Sequence, residues 1–253
     1  MSSSKFDTLY VGGCSFSEGG GLYQPDIKDL YKEMYDVEWN HFHEVTYGYR
    51  VAHELNLDLV MDAKCGGGLE RLVRKFQSYV KNKTSKELDR TLFLIEPPTA
   101  KGRLDLYSNN EKKYFMVNTN DVKGKWQTEV GISFDYAMGE NNDTQNRSES
   151  RLRPGVISYL QDFYDIDKYD DKIQGNFMFM ISYMLYKKLN FLILTSSLSG
   201  FGRDIQKHLL YDIFEWSKIN KLTIKAELKD KSNDEHPGYF GHKEFSEIIL
   251  GKI

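Results

Sequence analysis

The chain carries the stretch TLYVGGCSFS at residues 8–17. Its first four residues form a short apolar run that is typical of a buried strand, and the glycines and serines that follow favour a tight turn. In an open α/β sheet, the turn after a strand is where a nucleophile or a phosphate-binding loop is presented. The stretch therefore predicts a first β-strand that ends in a functional turn around Ser15.

Four further apolar runs predict four more strands, at residues 57–61, 92–95, 191–195 and 222–226. Segments with apolar residues at helical spacing lie between them, at residues 45–55, 69–79 and 173–189. Strands that alternate with helices favour an α/β fold with a parallel sheet. We expect a doubly wound, flavodoxin-like sheet of five parallel strands with helices on both faces.

The connection between the third and fourth strands is much longer than a simple crossover needs. We therefore expect a single domain over residues 1–253 that carries an insertion at about 100–170. Apolar runs at residues 114–117 and 132–136 predict two short strands within it. The insertion is expected to form a cap over the site.

Composition excludes several classes of function. The formal net charge is -3 and the sequence pI is near 6.1, so no basic field attracts nucleic acid. The longest apolar run is far shorter than the roughly 20 residues that span a bilayer. With two cysteines and no secretory signal at the N-terminus, the sequence predicts a cytoplasmic protein without a nucleic-acid or membrane partner, and it leaves the oligomeric state open.

A histidine and a carboxylate near the other end of the chain can activate a serine nucleophile. A serine hydroxyl becomes reactive when a histidine accepts its proton and a carboxylate orients that histidine. Ser15, His236 and Asp234 can fill these three roles. Because strands one and two are expected to be neighbours, the backbone N–H groups of Ser15 and Gly66 are predicted to form an oxyanion hole.

Three blocks of the sequence resemble those of the SGNH, or GDSL-like, hydrolases: GCSFS at 13–17, AKCGGGLER at 63–71 and DEHPGYFGH at 234–242. They occur in the family's order, and the resemblance spans nearly the whole chain outside the insertion. The sequence is similar to divergent members from bacteriophage genomes. Cys14 stands where the family usually has aspartate, and we expect it to be a small buried thiol. The resemblance implies a serine esterase without metal or organic cofactor. Its substrate would be a small acyl ester, such as an O-acetyl group on a carbohydrate, and a phage-encoded member could be part of the virion.

Two departures from the family pattern concern the oxyanion hole and the acid. The third block normally supplies an asparagine as an oxyanion donor, but here the third strand is followed by EPPTAKGR at 96–103. Thr99 or Arg103 could contact the substrate instead, whereas Glu96 is expected to repel a developing oxyanion. The acid three residues before the histidine is replaced by Asn233, so Asp234, two residues before it, is the candidate.

The missing asparagine and the presence of Glu96 favour an alternative function. In this alternative the chain is a catalytically silent module of the same fold, used for structure or recognition, for example in a phage particle. The HFH pattern at 41–43, with other histidines, could supply metal ligands but matches no known motif, and the glycines at 19–21 lack the lysine of a P-loop. His242 is expected to open or cap a final helix at 243–250.

Overall fold

The computed structural model describes residues 5–19, 22, 44–64, 67–98, 103–109, 112–118, 166–196, 223–226 and 238–253. Within these ranges the strands are β1 (Thr8–Gly12), β2 (Asp58–Met61), β3 (Thr91–Ile95), β4 (Arg103–Ser108), β5 (Lys113–Asn118), β6 (Asn190–Ser196) and β7 (Thr223–Ala226). The helices are α1 (Ser15–Glu18), α2 (Tyr47–Leu55), α3 (Leu69–Lys81), α4 (Ser85–Asp89), α5 (Ile166–Tyr186) and α6 (Tyr239–Leu250).

A parallel sheet forms the centre of the fold. Its strands lie in the order β2-β1-β3-β6, and β7 pairs in parallel with β6 at the far edge. β1 is an inner strand, and Leu9 pairs with Leu59 on one side and with Leu92 on the other. The predicted α/β architecture, with a parallel sheet surrounded by helices, is confirmed. The carboxyl ends of β1, β2 and β3 therefore meet at one edge of the sheet.

Alternate residues of β1 point to opposite faces of the sheet, as the period of a strand requires. Leu9 and Val11 belong to a core that includes residues of α2 and α6, whereas Tyr10 belongs to a core that includes residues of α3 and α5. All three side chains are fully buried. Burying a leucine or valine side chain stabilises a protein by about 1.5–3 kcal/mol, so both faces of this strand contribute to stability.

Helix α2 begins and ends at residues that cap it. The Thr46 side chain accepts a hydrogen bond of 3.4 Å from the backbone N–H of Tyr49. This bond satisfies one of the N–H groups of the first turn that have no acceptor within the helix. Asn56 adopts a left-handed conformation with a φ of 53° and ends the helix. These caps place Tyr47 at the first position of α2, next to the end of β1.

Helix α5 is longer at its start, and shorter at its end, than the predicted segment at 173–189. Its first two turns, residues 166–172, are mostly charged and contain Ile166 and Tyr169 as their apolar residues, so the predicted segment begins only at Ile173. It ends at Tyr186, and Lys188 has a φ of 54°, which takes the chain out of the helix and into β6. No helix within the described residues is long and apolar enough to cross a membrane.

The predicted insertion begins with an antiparallel hairpin. β4 and β5 pair from Arg103 opposite Asn118 to Ser108 opposite Lys113. The predicted strand at 114–117 is thus part of β5. The predicted strand at 132–136 lies outside the described residues, and the cap and the single-domain organisation remain predictions.

Candidate active site

The turn between β1 and α1 is held by hydrogen bonds from both neighbouring strands' ends. The Gly12 carbonyl oxygen accepts a bond of 2.8 Å from the N–H of Glu96, and the Gly13 carbonyl oxygen accepts one of 3.4 Å from the N–H of Lys64. Within the turn, the N–H of Glu18 donates to the Cys14 carbonyl oxygen at 3.0 Å. Cys14 is buried, as the sequence predicts. The turn is therefore fixed to the sheet on both sides.

Ser15 is the first residue of α1, at the carboxyl end of β1. Arg103 is the first residue of β4, and for both residues the structure describes the backbone but not the side chain. The other predicted site residues lie outside the described ranges: Gly66, Thr99, Asp234 and His236. The catalytic triad and the oxyanion hole thus remain predictions.

The glycine turn of the second block lies beside the turn of the first. Gly67 donates its N–H to the Lys64 carbonyl oxygen at 2.8 Å. A Cβ atom on Gly67 would lie 2.8 Å from that oxygen and 3.7 Å from the carbonyl oxygen of Gly13. The short distance to the Lys64 oxygen favours a residue without a side chain here, and the distance to the Gly13 oxygen places the two turns in van der Waals contact.

A chain of buried hydrogen bonds lies directly behind the β1–α1 turn. The Tyr47 hydroxyl donates to Ser17 Oγ at 2.6 Å, and the Ser17 hydroxyl donates to Oε2 of Glu96. The three residues are 0–2% exposed. They come from α2, from α1 and from the residue that follows β3, so the cluster connects three elements around the turn.

Burial dominates the acid–base properties of this cluster. It raises the pKa of the Glu96 carboxyl from 4.5 to about 7, although the hydrogen bonds from Ser17 and Tyr47 favour the charged form. Burial and the nearby Glu96 charge raise the pKa of the Tyr47 hydroxyl well above its ordinary value, so Tyr47 keeps its proton. The sequence favours a Glu96 charge that repels an oxyanion. In the structure, by contrast, this carboxyl is buried and bonded to Ser17, and burial raises its pKa, which favours the neutral form.

His242 does not open the last helix, contrary to the expectation from the sequence. Helix α6 begins at Tyr239 after the extended residue Gly238, and the N–H of His242 donates to the Gly238 carbonyl oxygen inside the first turn. The imidazole is fully buried. Its Nδ1 accepts a hydrogen bond from the N–H of Tyr47 at 3.3 Å, and the two rings stack with centroids 5.7 Å apart.

Sequence reasoning missed this contact, but a signal for it exists. His242 is followed at helical spacing by Phe245 and Ile249, which are both buried. A histidine on the apolar face of a helix is expected to pack inward, so the spacing predicts burial but not the partner. The contact brings α6, which begins within the block at 234–242, against the start of α2.

The β4–β5 hairpin is attached to α3. Nε of Arg74 lies 2.5 Å from a carboxylate oxygen of Asp105. The Glu70 carboxylate accepts a hydrogen bond of 3.0 Å from the backbone N–H of Asp105. The guanidinium carbon of Arg74 also lies 3.6 Å from the ring centroid of Tyr114. These contacts fix the position of the strand that begins at Arg103.

The proposed metal ligands at 41–43, together with His236 and Asp234, lie outside the described residues. Within the described ranges no group of three His, Cys, Asp or Glu side chains could hold a metal ion. His242, the remaining candidate ligand, packs on Tyr47 as described above.

A solved structure of a carbohydrate esterase, whose active site displays divergent catalytic and non-catalytic binding functions, matches almost the whole chain. The TM-score is 0.50 at 13% sequence identity, and the match covers 99% of this chain and 65% of the other. The chain shares the fold of a carbohydrate esterase. It spans about two thirds of that protein's length.

Two further structures are similar. An acetyl xylan esterase, Est2A, from the rumen bacterium Butyrivibrio proteoclasticus has a TM-score of 0.47 at 13% identity, covering 98% of this chain and 65% of the other. A lipolytic protein of the G-D-S-L family from Veillonella parvula DSM 2008 has a TM-score of 0.34 at 9% identity, covering 96% of each chain. No protein family model matches the sequence, and no curated protein matches it.

Proposed function

We propose that the chain is a serine esterase that hydrolyses small acyl esters, with O-acetyl groups on carbohydrates as its substrate class. The observation that carries this proposal is the position of Ser15 at the start of α1, at the carboxyl end of β1. In open α/β sheets, ligands bind at this edge. The shared fold with a carbohydrate esterase supports the same conclusion.

In the proposed reaction, Ser15 Oγ attacks the acyl carbon while His236 accepts its proton. Asp234 orients the imidazole and stabilises its charged form. The tetrahedral intermediate loses the alcohol, which takes the proton back from His236. Water then attacks the acyl-enzyme with the same general base, which releases the carboxylic acid and restores the serine.

The backbone N–H groups of Ser15 and Gly66 are proposed to bind the oxyanion, each contributing about 3 kcal/mol to transition-state stabilisation. The closeness of Gly67 to the Gly13 carbonyl oxygen supports this pairing, because it brings the second block to the first. Thr99 and Arg103 are proposed to contact the substrate, since they follow β3 and begin β4. An Arg103 side chain directed at the site would suit a polar or anionic sugar.

Hydrolysis of p-nitrophenyl acetate by the wild type and by Ser15→Ala tests the proposal. Ser78→Ala is a matched control because it removes an exposed serine from the surface of α3. We expect Ser15→Ala to abolish turnover, the control to keep it, and a fluorophosphonate to label Ser15, as mapped by mass spectrometry. His236→Ala should lose more than about a hundredfold in turnover without loss of the fold.

One observation favours a second candidate, a catalytically silent module for recognition or structure. The residues described after β3 are Glu96, Pro97 and Pro98, so none of them supplies the asparagine amide that the family uses as an oxyanion donor. A folded wild type that neither reacts with fluorophosphonate nor differs from Ser15→Ala in turnover would favour this candidate over the esterase.

A further inference from the structure

We propose that Glu96 and Ser17 are positioning residues, and that the proton on the Glu96 carboxyl sets the geometry of the turn that carries Ser15. The link between the Glu96 proton and the geometry of the turn is argued from described contacts. Its effect on turnover rests on the proposed esterase function.

The first step of the argument is that Ser17 and the turn cannot move independently. A Cβ atom on Gly13 would lie 2.2 Å from Ser17 Oγ and 3.2 Å from Cβ of Glu96, so these two side chains fill the space beside the backbone of the turn. Ser17 is two residues after Ser15 within α1. A shift of the Ser17 side chain is therefore transmitted to Gly13 and to the start of α1.

The second step is that Glu96 holds Ser17 from a fixed support. Its backbone N–H is bonded to the Gly12 carbonyl oxygen at 2.8 Å, which ties the end of β3 to the end of β1. Its carboxyl oxygen Oε2 accepts a hydrogen bond from the Ser17 hydroxyl. Among the contacts that hold α1 beside the end of β3, this side-chain bond is the one whose strength depends on the Glu96 carboxyl.

The third step is that the bond changes with the proton on Glu96. An ionised carboxylate only accepts, so the chain must run from Tyr47 through Ser17 to Glu96, and its last bond is charge-assisted and short. A protonated carboxyl gains a donor, so it can donate to Ser17 instead and the bond weakens. The raised pKa of Glu96, about 7, makes both forms accessible near neutral pH.

The groups around the pair come from each element packed against it. Cys14 lies on the turn itself, Tyr47 contributes its hydroxyl from α2, and His242 of α6 lies behind Tyr47. The raised pKa of Tyr47 keeps this hydroxyl a donor throughout the titration. Glu96 is therefore the group in the described chain of bonds that changes its proton near pH 7.

Carbon-13 NMR of glutamate-labelled protein, with backbone amide shifts recorded across pH 5 to 9, tests the coupling. In the wild type we expect the Glu96 carboxyl and the amide of Ser15 to titrate with the same midpoint. Ser17→Ala should leave the carboxyl titrating and remove the part of the Ser15 response that shares the midpoint of Glu96. Glu96→Gln should remove both, and Glu54→Gln, which lacks an exposed carboxyl on α2, should keep both.

A Ser15 amide that does not respond to pH in the wild type would overturn the proposal. The same amide responding unchanged in Ser17→Ala would also overturn it, because the coupling would then not pass through Ser17. The wild-type titration needs no variant, so a Glu96→Gln protein that fails to fold still leaves the proposal testable.

Turnover of p-nitrophenyl acetate gives the second readout. We expect the ratio of kcat at pH 8 to kcat at pH 6 to be roughly fivefold higher in the wild type than in Glu96→Gln, which is what a charged hydrogen bond supplies over a neutral one. Equal ratios in an active enzyme would overturn the effect on turnover. If the Ser15 amide titrates with Glu96 but the protein shows no turnover, the result would contradict the proposed function and support the link between Glu96 and the turn.

Discussion

Replacing Glu96 by glutamine should change how the stability of the protein depends on pH. The Glu96 carboxyl is 2% exposed, and burial raises its pKa to about 7 from the ordinary 4.5. At pH values between 4.5 and about 7, the Glu96 carboxyl has lost its proton in the unfolded chain but keeps it in the folded protein. Raising the pH therefore favours the unfolded chain, and the stability contributed by the neutral carboxyl is lost as the pH rises through about 7.

The size of the effect follows from the two pKa values. One pKa unit corresponds to about 1.4 kcal/mol, so Glu96 should lower the free energy of unfolding by about 3 kcal/mol between pH 4.5 and pH 8. Glutamine at this position cannot ionise, so it adds no pH-dependent contribution to the free energy of unfolding. The free energy of unfolding of the wild type minus that of Glu96→Gln should thus fall by about 3 kcal/mol over this range.

Urea unfolding followed by circular dichroism at several pH values measures this difference. Subtracting the variant removes the titration of all other groups, and Glu54→Gln gives the background for the loss of one exposed carboxyl from α2. A difference that stays constant within about 0.5 kcal/mol would refute the reasoning, since linear extrapolation resolves a change of this size. A difference that rises with pH would show that Glu96 is held as a charge.

The other two predictions concern packing of the turn and attachment of the hairpin. Gly13→Ala should cost about 2 kcal/mol in urea unfolding, because its methyl group would lie 2.2 Å from a buried hydroxyl oxygen. Gly175→Ala, with no atom within 4 Å of its new methyl group inside α5, should instead stabilise by about 0.5–1 kcal/mol. Arg74→Ala should cost about 2 kcal/mol, since it leaves the buried Asp105 carboxylate without this partner. Lys83→Ala, which loses an exposed ion pair, should leave the free energy of unfolding essentially unchanged in the same assay.

Local sequence was sufficient to predict the inner strands of the sheet, because β1, β3 and the first half of β6 are largely buried apolar runs whose ends differ from them in composition. β3 illustrates this: all five of its residues are buried, and Glu96 and the prolines follow directly. Helix α5 was harder to delimit because charged residues fill most of its first two turns, residues 166–172. Apolar periodicity is a weak signal where charged residues dominate the sequence.

The environment of Glu96 could not be predicted from the sequence. Its hydrogen-bond partner Ser17 lies 79 residues away, and Tyr47 reaches the pair from a third element. The sequence identifies a carboxylate at the end of a strand but contains no signal for the depth at which it is buried. Its pKa depends on that depth, so repulsion of an oxyanion was a reasonable expectation from composition alone.

The order of the strands has a consequence for synthesis of the protein on the ribosome. β1 is made first, yet its partners β2 and β3 follow much later, and Leu9, Tyr10 and Val11 are fully buried only between them. At the usual 5–20 residues per second, roughly 4–16 s separate the emergence of β1 from that of β3. During this interval an apolar strand with unpaired backbone groups is exposed to other nascent chains. We expect this segment to be the part of the chain most in need of a chaperone during translation.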